Sequence, residues 1–419
     1  MRTRTVFADK RRTQRNALRQ PSNSVLDRVV VIPSWFPNRV QPLLGTFVQD
    51  QVRALAATFP NIEWHVIAAD APEEWVSPRR PFAGAASYLR SWHHAGASAV
   101  EEDGNVLVHR VRALHGSFAL GLLGFAPHKR IVERSLQRIE REYGAIDLIH
   151  AHSCYPAGLV VAALRPACPW VLTEHQSPFP FVELRGADGL LWPELGAVFP
   201  AADATIAVSR SQARDIERFT SIKPSVIPNV CDESQFVPRQ GRVDGPFTFL
   251  TVSGLNEQKG IDVLLAAIAE FRSRGGNARF RIAGSGPLES QLRAQALSLG
   301  LSEFVEWCGA VSRADLPDVF RSADAFVLPS RHESFGVAYI EALASGLPII
   351  ATRCGGPEDI VRDVNGVLVP IDDVQALADA MCAMVGARYD AQGIRQDFLS
   401  RFAREPVCRD IVALYQSLG

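Results

Sequence analysis

Ala325-Phe326-Val327-Leu328-Pro329-Ser330-Arg331-His332-Glu333-Ser334-Phe335-Gly336-Val337-Ala338-Tyr339-Ile340-Glu341-Ala342-Leu343-Ala344-Ser345-Gly346 reads as one crossing from strand to helix. Ala325 to Leu328 is a short apolar run, Pro329 and Ser330 punctuate it, and helical spacing begins at Val337. Glu333 and Glu341 form a Glu-x7-Glu pair across this crossing. Between them, the amides of Phe335, Gly336 and Val337 open the helix, where unpaired N–H groups and the positive dipole end attract an anion. Glu341 lies roughly 6 Å of helix rise beyond Val337, at about 1.5 Å per residue. Carboxylates on either side of an anion site fit two hydroxyl-rich groups flanking a diphosphate, which is the shape of a nucleotide sugar.

The same alternation extends outward through the chain. In the first half, apolar strands are expected at Val29–Ile32, His65–Ala69, Val106–Val111, Leu148–Ala151, Trp170–Thr173 and Thr205–Val208, with helices near Phe47–Ala57, Ile131–Tyr143 and Ala157–Leu164. A second series has strands at Thr248–Val252, Arg279–Ala283, Val305–Trp307, Ala325–Leu328, Ile349–Ala351 and Val367–Val369, with a helix over Leu288–Leu299. Strand-helix alternation predicts α/β architecture: two doubly wound Rossmann-like domains facing across a cleft, with ligands at the carboxyl ends of the strands. The expected division is a disordered basic tail over 1–24, a first Rossmann-like domain over 25–230, a Pro- and Gly-rich linker over 231–246, a second Rossmann-like domain over 247–403 and a final helix over 404–419. Periodicity does not say which domain that last helix covers.

At 419 residues the chain is too long for one ordinary core. Hydrophobic residues at 47%, charged residues at 21% and a net charge of −1 give globular composition with no pull toward nucleic acid. Seven scattered cysteines show no close Cys-x-x-Cys pair, so neither a disulfide framework nor a zinc knuckle is expected and a reducing cytoplasm fits. No apolar run reaches the roughly 18–20 residues of a membrane span. The run Gly116–Ala126, with Arg79 and Arg80 as a basic rim, is a candidate for peripheral contact with a membrane surface or lipid-linked glycan, against a buried core helix.

Further candidate residues stand at expected strand ends. Lys259 follows Val252-Ser253-Gly254-Leu255-Asn256-Glu257-Gln258 and could present a point charge to phosphate, or be an ordinary surface lysine. Gly284 and Gly286 allow close backbone approach after another strand. In the first half, Gly45 sits before a helix. His150 and His152 follow one expected strand and His175 the next, where structural histidines compete with ligand contacts.

Taken in order, Pro33-Ser34-Trp35-Phe36-Pro37 with Gly45, Asp147-Leu148-Ile149-His150-Ala151-His152, Thr173-Glu174-His175, Ile227-Pro228-Asn229-Val230, Lys259-Gly260, Gly284-Ser285-Gly286-Pro287 and the Glu-x7-Glu run resemble the family-4 retaining glycosyltransferases of GT-B fold. The resemblance covers about residues 27–415. It implies that Glu341 binds the donor ribose and Glu333 stands beside the transferred sugar. Phe335, Gly336 and Val337 would offer amides to sugar and diphosphate, with Lys259 on the diphosphate. Gly45 would lie at the reacting centre, His175 near the donor sugar and His152 on the acceptor side. One position departs: the family commonly has an arginine five residues before the lysine, where this chain has Gly254. Either Arg331 or another cation must then complete the clamp, or Lys259 and helix amides suffice.

The expected activity is hexosyl transfer, with retention, from a nucleotide-diphosphate sugar to a glycan or lipid-linked glycan, in polysaccharide or glycolipid synthesis. No metal or other cofactor is expected, since no Asp-x-Asp pattern stands at a strand end of the second domain. The expected location is cytoplasmic, with the inner membrane face as the further candidate. Gly254 motivates one alternative, a non-catalytic nucleotide-sugar-binding subunit; a nucleotide-sugar epimerase is another. A nicotinamide dehydrogenase fits poorly because Pro33–Pro37 occupies the turn where a Gly-x-Gly-x-x-Gly would stand.

Overall fold

A computed structural model of the chain describes residues 26–39, 41–70, 100–112, 126–186, 188–241 and 245–418. The basic tail over 1–24, Arg79, Arg80 and most of the Gly116–Ala126 run lie outside the described residues. The first domain holds β1 (Arg28–Pro33), β2 (Glu63–Asp70), β3 (Val100–Asp103), β4 (Val106–Arg112), β5 (Leu148–His152), β6 (Trp170–Glu174), β7 (Ala204–Ala207) and β8 (Ser225–Val226). The second holds β9 (Phe247–Val252), β10 (Ala278–Ala283), β11 (Val305–Gly309), β12 (Ala325–Leu328), β13 (Ile349–Thr352) and β14 (Gly366–Val369).

The sheet orders are β3-β4-β2-β1-β5-β6-β7-β8 and β11-β10-β9-β12-β13-β14. All pairings are parallel except β3 with β4. Val29–Ile32 of β1 and the whole of β12 are continuous apolar runs because helices cover both faces of a parallel sheet. Each order reverses once, between β1 and β5 and between β9 and β12. Loops leaving adjacent strands there diverge and leave a crevice at the carboxyl ends. The candidate residues fall on those exits: Gly45 after β1, His152 at the end of β5, Lys259 after β9 and Glu333 after β12.

The final helix, Arg404–Gln416, packs on the first domain. Its Val407, Cys408, Ile411, Val412 and Tyr415 join Val29, Val31, Val48, Val52 and Leu55 in one buried cluster. The chain therefore crosses between domains twice. The crossings run side by side, with the Cys231 amide donating to the Phe402 carbonyl at 3.0 Å and Arg404 Nε to Glu233 Oε1 at 2.9 Å. Within the Pro- and Gly-rich stretch, Phe236 is fully buried in the second domain's core, so part of that linker is packed structure.

Candidate active site

The Val337–Ala344 helix begins where expected, capped by Gly336 at φ 94°. A Cβ at Gly336 would lie 2.4 Å from the Tyr339 ring, so this entrance requires glycine twice over, by dihedral and by space. Tyr339 is itself fixed by its hydroxyl, which donates to the Leu328 carbonyl at 2.8 Å. Phe335 is buried in the core, leaving its backbone to serve the site.

Lys259 and Glu333 form a pair at 2.7 Å, and the Ser330 hydroxyl donates to the same Glu333 oxygen at 3.0 Å. The two loops carrying them are sewn together. Arg331 N donates to the Gln258 carbonyl at 2.7 Å, and Gln258 Nε2 to the His332 carbonyl at 2.8 Å. Gly260 makes the close approach feasible, since a Cβ there would stand 2.1 Å from the Pro329 carbonyl oxygen. Lys259 is thus held by its pairing at the helix entrance rather than being a free surface lysine.

Gly284 and Gly286 have a structural explanation inside the chain. A Cβ at Gly284 would meet the Ser253 carbonyl oxygen at 1.8 Å, and one at Gly286 the Leu255 carbonyl oxygen at 2.4 Å. The turns after β9 and β10 therefore pack backbone on backbone, also joined by Leu255 N donating to the Ser285 carbonyl at 3.0 Å. Gly254, on the first turn, is exposed and a Cβ there would meet only Asn256 Nδ2, at 3.4 Å. Arg331 is paired with Asp262 at 2.7 Å and with Asp372 at 2.7 Å.

Across the cleft, the Ser334 hydroxyl donates to the His175 carbonyl at 3.0 Å, bringing the Glu-x7-Glu crossing against the first domain. The His175 ring lies 4.6 Å from that of Phe47, at the start of the helix capped by Gly45. Gly45 has φ 68°, and a Cβ there would stand 2.2 Å from the Trp35 carbonyl oxygen. His150 and His152 do not follow the strand as expected; they are its buried residues, with side chains inside the domain. His152, expected on the acceptor side, is only 1% exposed and its Nδ1 lies 2.9 Å from His175 Nε2. Its direct partner is His175, because the β5–β6 register places the two strand ends together.

Burial pushes the His175 pKa down to about 3, and burial likewise holds His152 well below the ordinary imidazole value. Both rings are neutral near pH 7, so one nitrogen of the pair donates and the other accepts. Glu174 positions this segment. Its buried carboxylate accepts from Cys154 N at 2.8 Å, His175 N at 2.8 Å and Gln176 N at 2.9 Å.

Glu341 is buried and bonded to Arg313 Nη1, whose Nη2 reaches Asp50 of the first domain at 2.6 Å. Burial raises the Glu341 pKa, with Arg313 opposing it; for Arg313, burial works against the charge but the two carboxylates outweigh it and raise its pKa. Asp50, Arg313 and Glu174 were not among the sequence candidates. A cleft of about 610 Å³ is lined by Pro178 of the first domain and by Asn256, Gln258, Pro287, Arg331 and His332 of the second; neither Lys259 nor Glu333 lines it. Among the described residues, no group of three or more His, Cys, Asp or Glu side chains is arranged to hold a metal ion.

Paired Rossmann-like sheets with a cation, a helix entrance and two glutamates at their facing ends define the two-domain GT-B class of sugar-transferring enzyme. Residues 44–235 match the family model described as Glycosyltransferase Family 4, and residues 232–387 match Glycosyl transferases group 1. This chain belongs to the family-4, group 1 glycosyltransferases. It is 30% identical over 293 residues to phosphatidyl-myo-inositol mannosyltransferase of Mycobacterium leprae, covering 66% of this chain and 75% of that protein. It is 27% identical over 291 residues to the lipopolysaccharide core biosynthesis mannosyltransferase LpsB of Rhizobium meliloti, covering 61% and 80%. Two other relatives align over less of their length, 59% of one from Escherichia coli and 46% of one from Methanocaldococcus jannaschii. A solved structure, Anabaena HepE in complex with UDP-glucose, shares the fold with a TM-score of 0.63 at 19% identity, covering 93% of this chain and 100% of that one.

Proposed function

We propose that this glycosyltransferase moves a hexosyl unit, with retention, from a nucleotide-diphosphate sugar to a glycan or lipid-linked glycan, in the cytoplasm or at the inner membrane face. One observation carries the reading: the Ser334–His175 contact sets the Glu333–Glu341 crossing, beside the second domain's switch point, against the carboxyl end of β6 in the first domain. The relatives' names, mannosyltransferases acting on phosphatidyl-myo-inositol and in lipopolysaccharide core synthesis, support the acceptor class. The UDP-glucose bound to HepE supports the donor class. Among the described residues no helix is long and apolar enough to cross a membrane.

In this reading the diphosphate lies at the Gly336 entrance, its charge met by helix amides and by Lys259. Lys259 shifts from Glu333 toward the phosphate as the bond to the anomeric carbon breaks. Glu333, released in part, accepts a hydroxyl of the transferred sugar. The leaving diphosphate oxygen takes the acceptor's proton on the same face, and the new glycosidic bond forms there, so configuration is kept. Neutral His175 offers a hydrogen bond to the sugar without adding charge. No metal enters this scheme.

The test is incubation with UDP-, GDP- and ADP-sugars and candidate acceptors, following release of nucleoside diphosphate and the anomeric configuration of the product. Release should fall about a hundredfold or more in Lys259→Ala, the scale for removing one stabiliser of developing charge. Turnover unchanged in both Lys259→Ala and Glu341→Ala would contradict the site. Gly254 supports a second reading, a subunit that binds nucleotide without transfer, which predicts binding but no product with any acceptor.

A further inference from the structure

Asp50, Arg313 and Glu341 stand 263 and 28 positions apart along the chain, yet one guanidinium joins the two carboxylates across the interdomain cleft. The carboxylates are 8% and 4% exposed and the guanidinium side chain 22%. One cation between two buried anions cannot satisfy both fully, so it is shared, and its balance depends on where Asp50 lies. Asp50 rides on the Thr46–Thr58 helix of the first domain, whereas Arg313 follows β11 and Glu341 sits one turn into the Val337–Ala344 helix of the second. Arg313 Nε is buried with no hydrogen-bond partner, so this placement does not use all the donors of the guanidinium. Phe236 packs against it, its ring centre 5.1 Å from Cζ.

We infer that Arg313 gates the nucleoside end of the donor site and that Asp50, from the other domain, draws it aside. The inference rests on the reading of Glu341 as the ribose ligand. A vicinal diol takes both oxygens of a carboxylate, and one oxygen of Glu341 is engaged by Arg313. When the domains part, Asp50 withdraws, Arg313 settles on Glu341 and the diol is excluded. When they close, as in the arrangement seen, the guanidinium reaches both acids, and a ribose arriving at Glu341 displaces Nη1 while Asp50 keeps hold of Nη2. Donor affinity is thereby coupled to the domain angle through a positioning residue that need not touch the reacting atoms.

Calorimetric titration of the full chain with UDP, GDP and ADP in turn, and with inorganic pyrophosphate, tests this. Asp50→Asn should weaken the preferred nucleoside diphosphate about tenfold, and Arg313→Met should tighten it by a similar factor, a coupling within the usual range. Pyrophosphate has no ribose, so its affinity should be unchanged in both variants. Weaker nucleotide binding in Arg313→Met, or parallel changes for nucleotide and pyrophosphate, would overturn the gate; if Asp50→Asn does not fold, the Arg313→Met titration decides alone. Wild-type protein that binds pyrophosphate as tightly as every nucleotide would instead overturn the ribose assignment on which the gate stands.

Discussion

Gly254 stands where the resemblance to family-4 glycosyltransferases implies an arginine, and its surroundings leave room for one. Its backbone is not left-handed, it is exposed, and a Cβ would meet only Asn256 Nδ2 at 3.4 Å. Gly254→Arg is therefore expected to fold normally and to bind nucleoside diphosphate about tenfold tighter by calorimetry, a gain typical of one charge-assisted contact to phosphate. His175 gives a second residue-scale prediction. Because burial holds its pKa near 3, the ring stays neutral across ordinary pH, and turnover should show no imidazole limb between about pH 5 and 8. A limb near pH 6.5 that disappears in His175→Gln would contradict this. Glu333 and Glu341 could be singled out because the helix entrance and their spacing lie within one stretch of sequence, and Lys259 because it stands in the turn between β9 and the next helix. Arg313 and Asp50 were not, since nothing local marks two charges that meet only after the domains face each other.

Among the elements, the Val337–Ala344 helix shows how local chemistry sets a site. Gly336→Ala would combine a left-handed backbone with a Cβ 2.4 Å from the Tyr339 ring. The expected loss is about 1–3 kcal/mol of stability from backbone strain, more if Tyr339 cannot shift. Thermal unfolding would register it, and turnover should fall further than stability because the helix entrance moves. Strands were read well wherever they were buried and apolar: β12 spans the expected residues, β7 is shifted by one, β2 is longer by three, and the other expected strands extend by one or two residues. β3 and β8 were missed for a physical reason. Val100-Glu101-Glu102-Asp103 is polar and largely exposed at the sheet edge, and Ser225-Val226 is a two-residue exposed strand, so neither carries the apolar signal that marks a core. The histidines of β5 were placed one step too far along, because their polarity suggested a loop although neutral imidazoles pair readily inside a sheet.

For the whole molecule, acid stability follows from histidines buried in neutral form. Burial lowers His65 and His150 to about 3 and His109 to about 4, and His152 and His175 are lowered as well. Unfolding restores a value near 6.5, so below that pH the unfolded chain binds more protons and gains relative to the native state. Each such group removes about 1.4 kcal/mol of stability per pH unit between the unfolded and folded values, so stability is retained above about pH 6.5 and lost progressively as pH falls. Denaturant titrations at pH 7.5 and 5.5 should give a clearly lower midpoint at the acidic value. The helix Arg404–Gln416 gives another test. Tyr415 OH lies 2.6 Å from His150 Nδ1, and the same helix closes the Val29–Leu55 cluster. Truncation after Phe402 should speed amide exchange in β1 and β5 more than in β9 and β12; equal effects on both domains would count against it. That docking could not be read from the sequence because an apolar stripe specifies that a helix needs a partner, not which one.

The double crossing also has a consequence for synthesis on the ribosome. The second domain can complete its sheet as soon as β14 has emerged. The first domain, although translated earlier, must wait for the last turns of the chain to cover Val29, Val31 and Val48. Maturation therefore runs against the direction of translation. A nascent chain stalled before Arg404 would present a finished second domain beside an apolar face still in need of a chaperone.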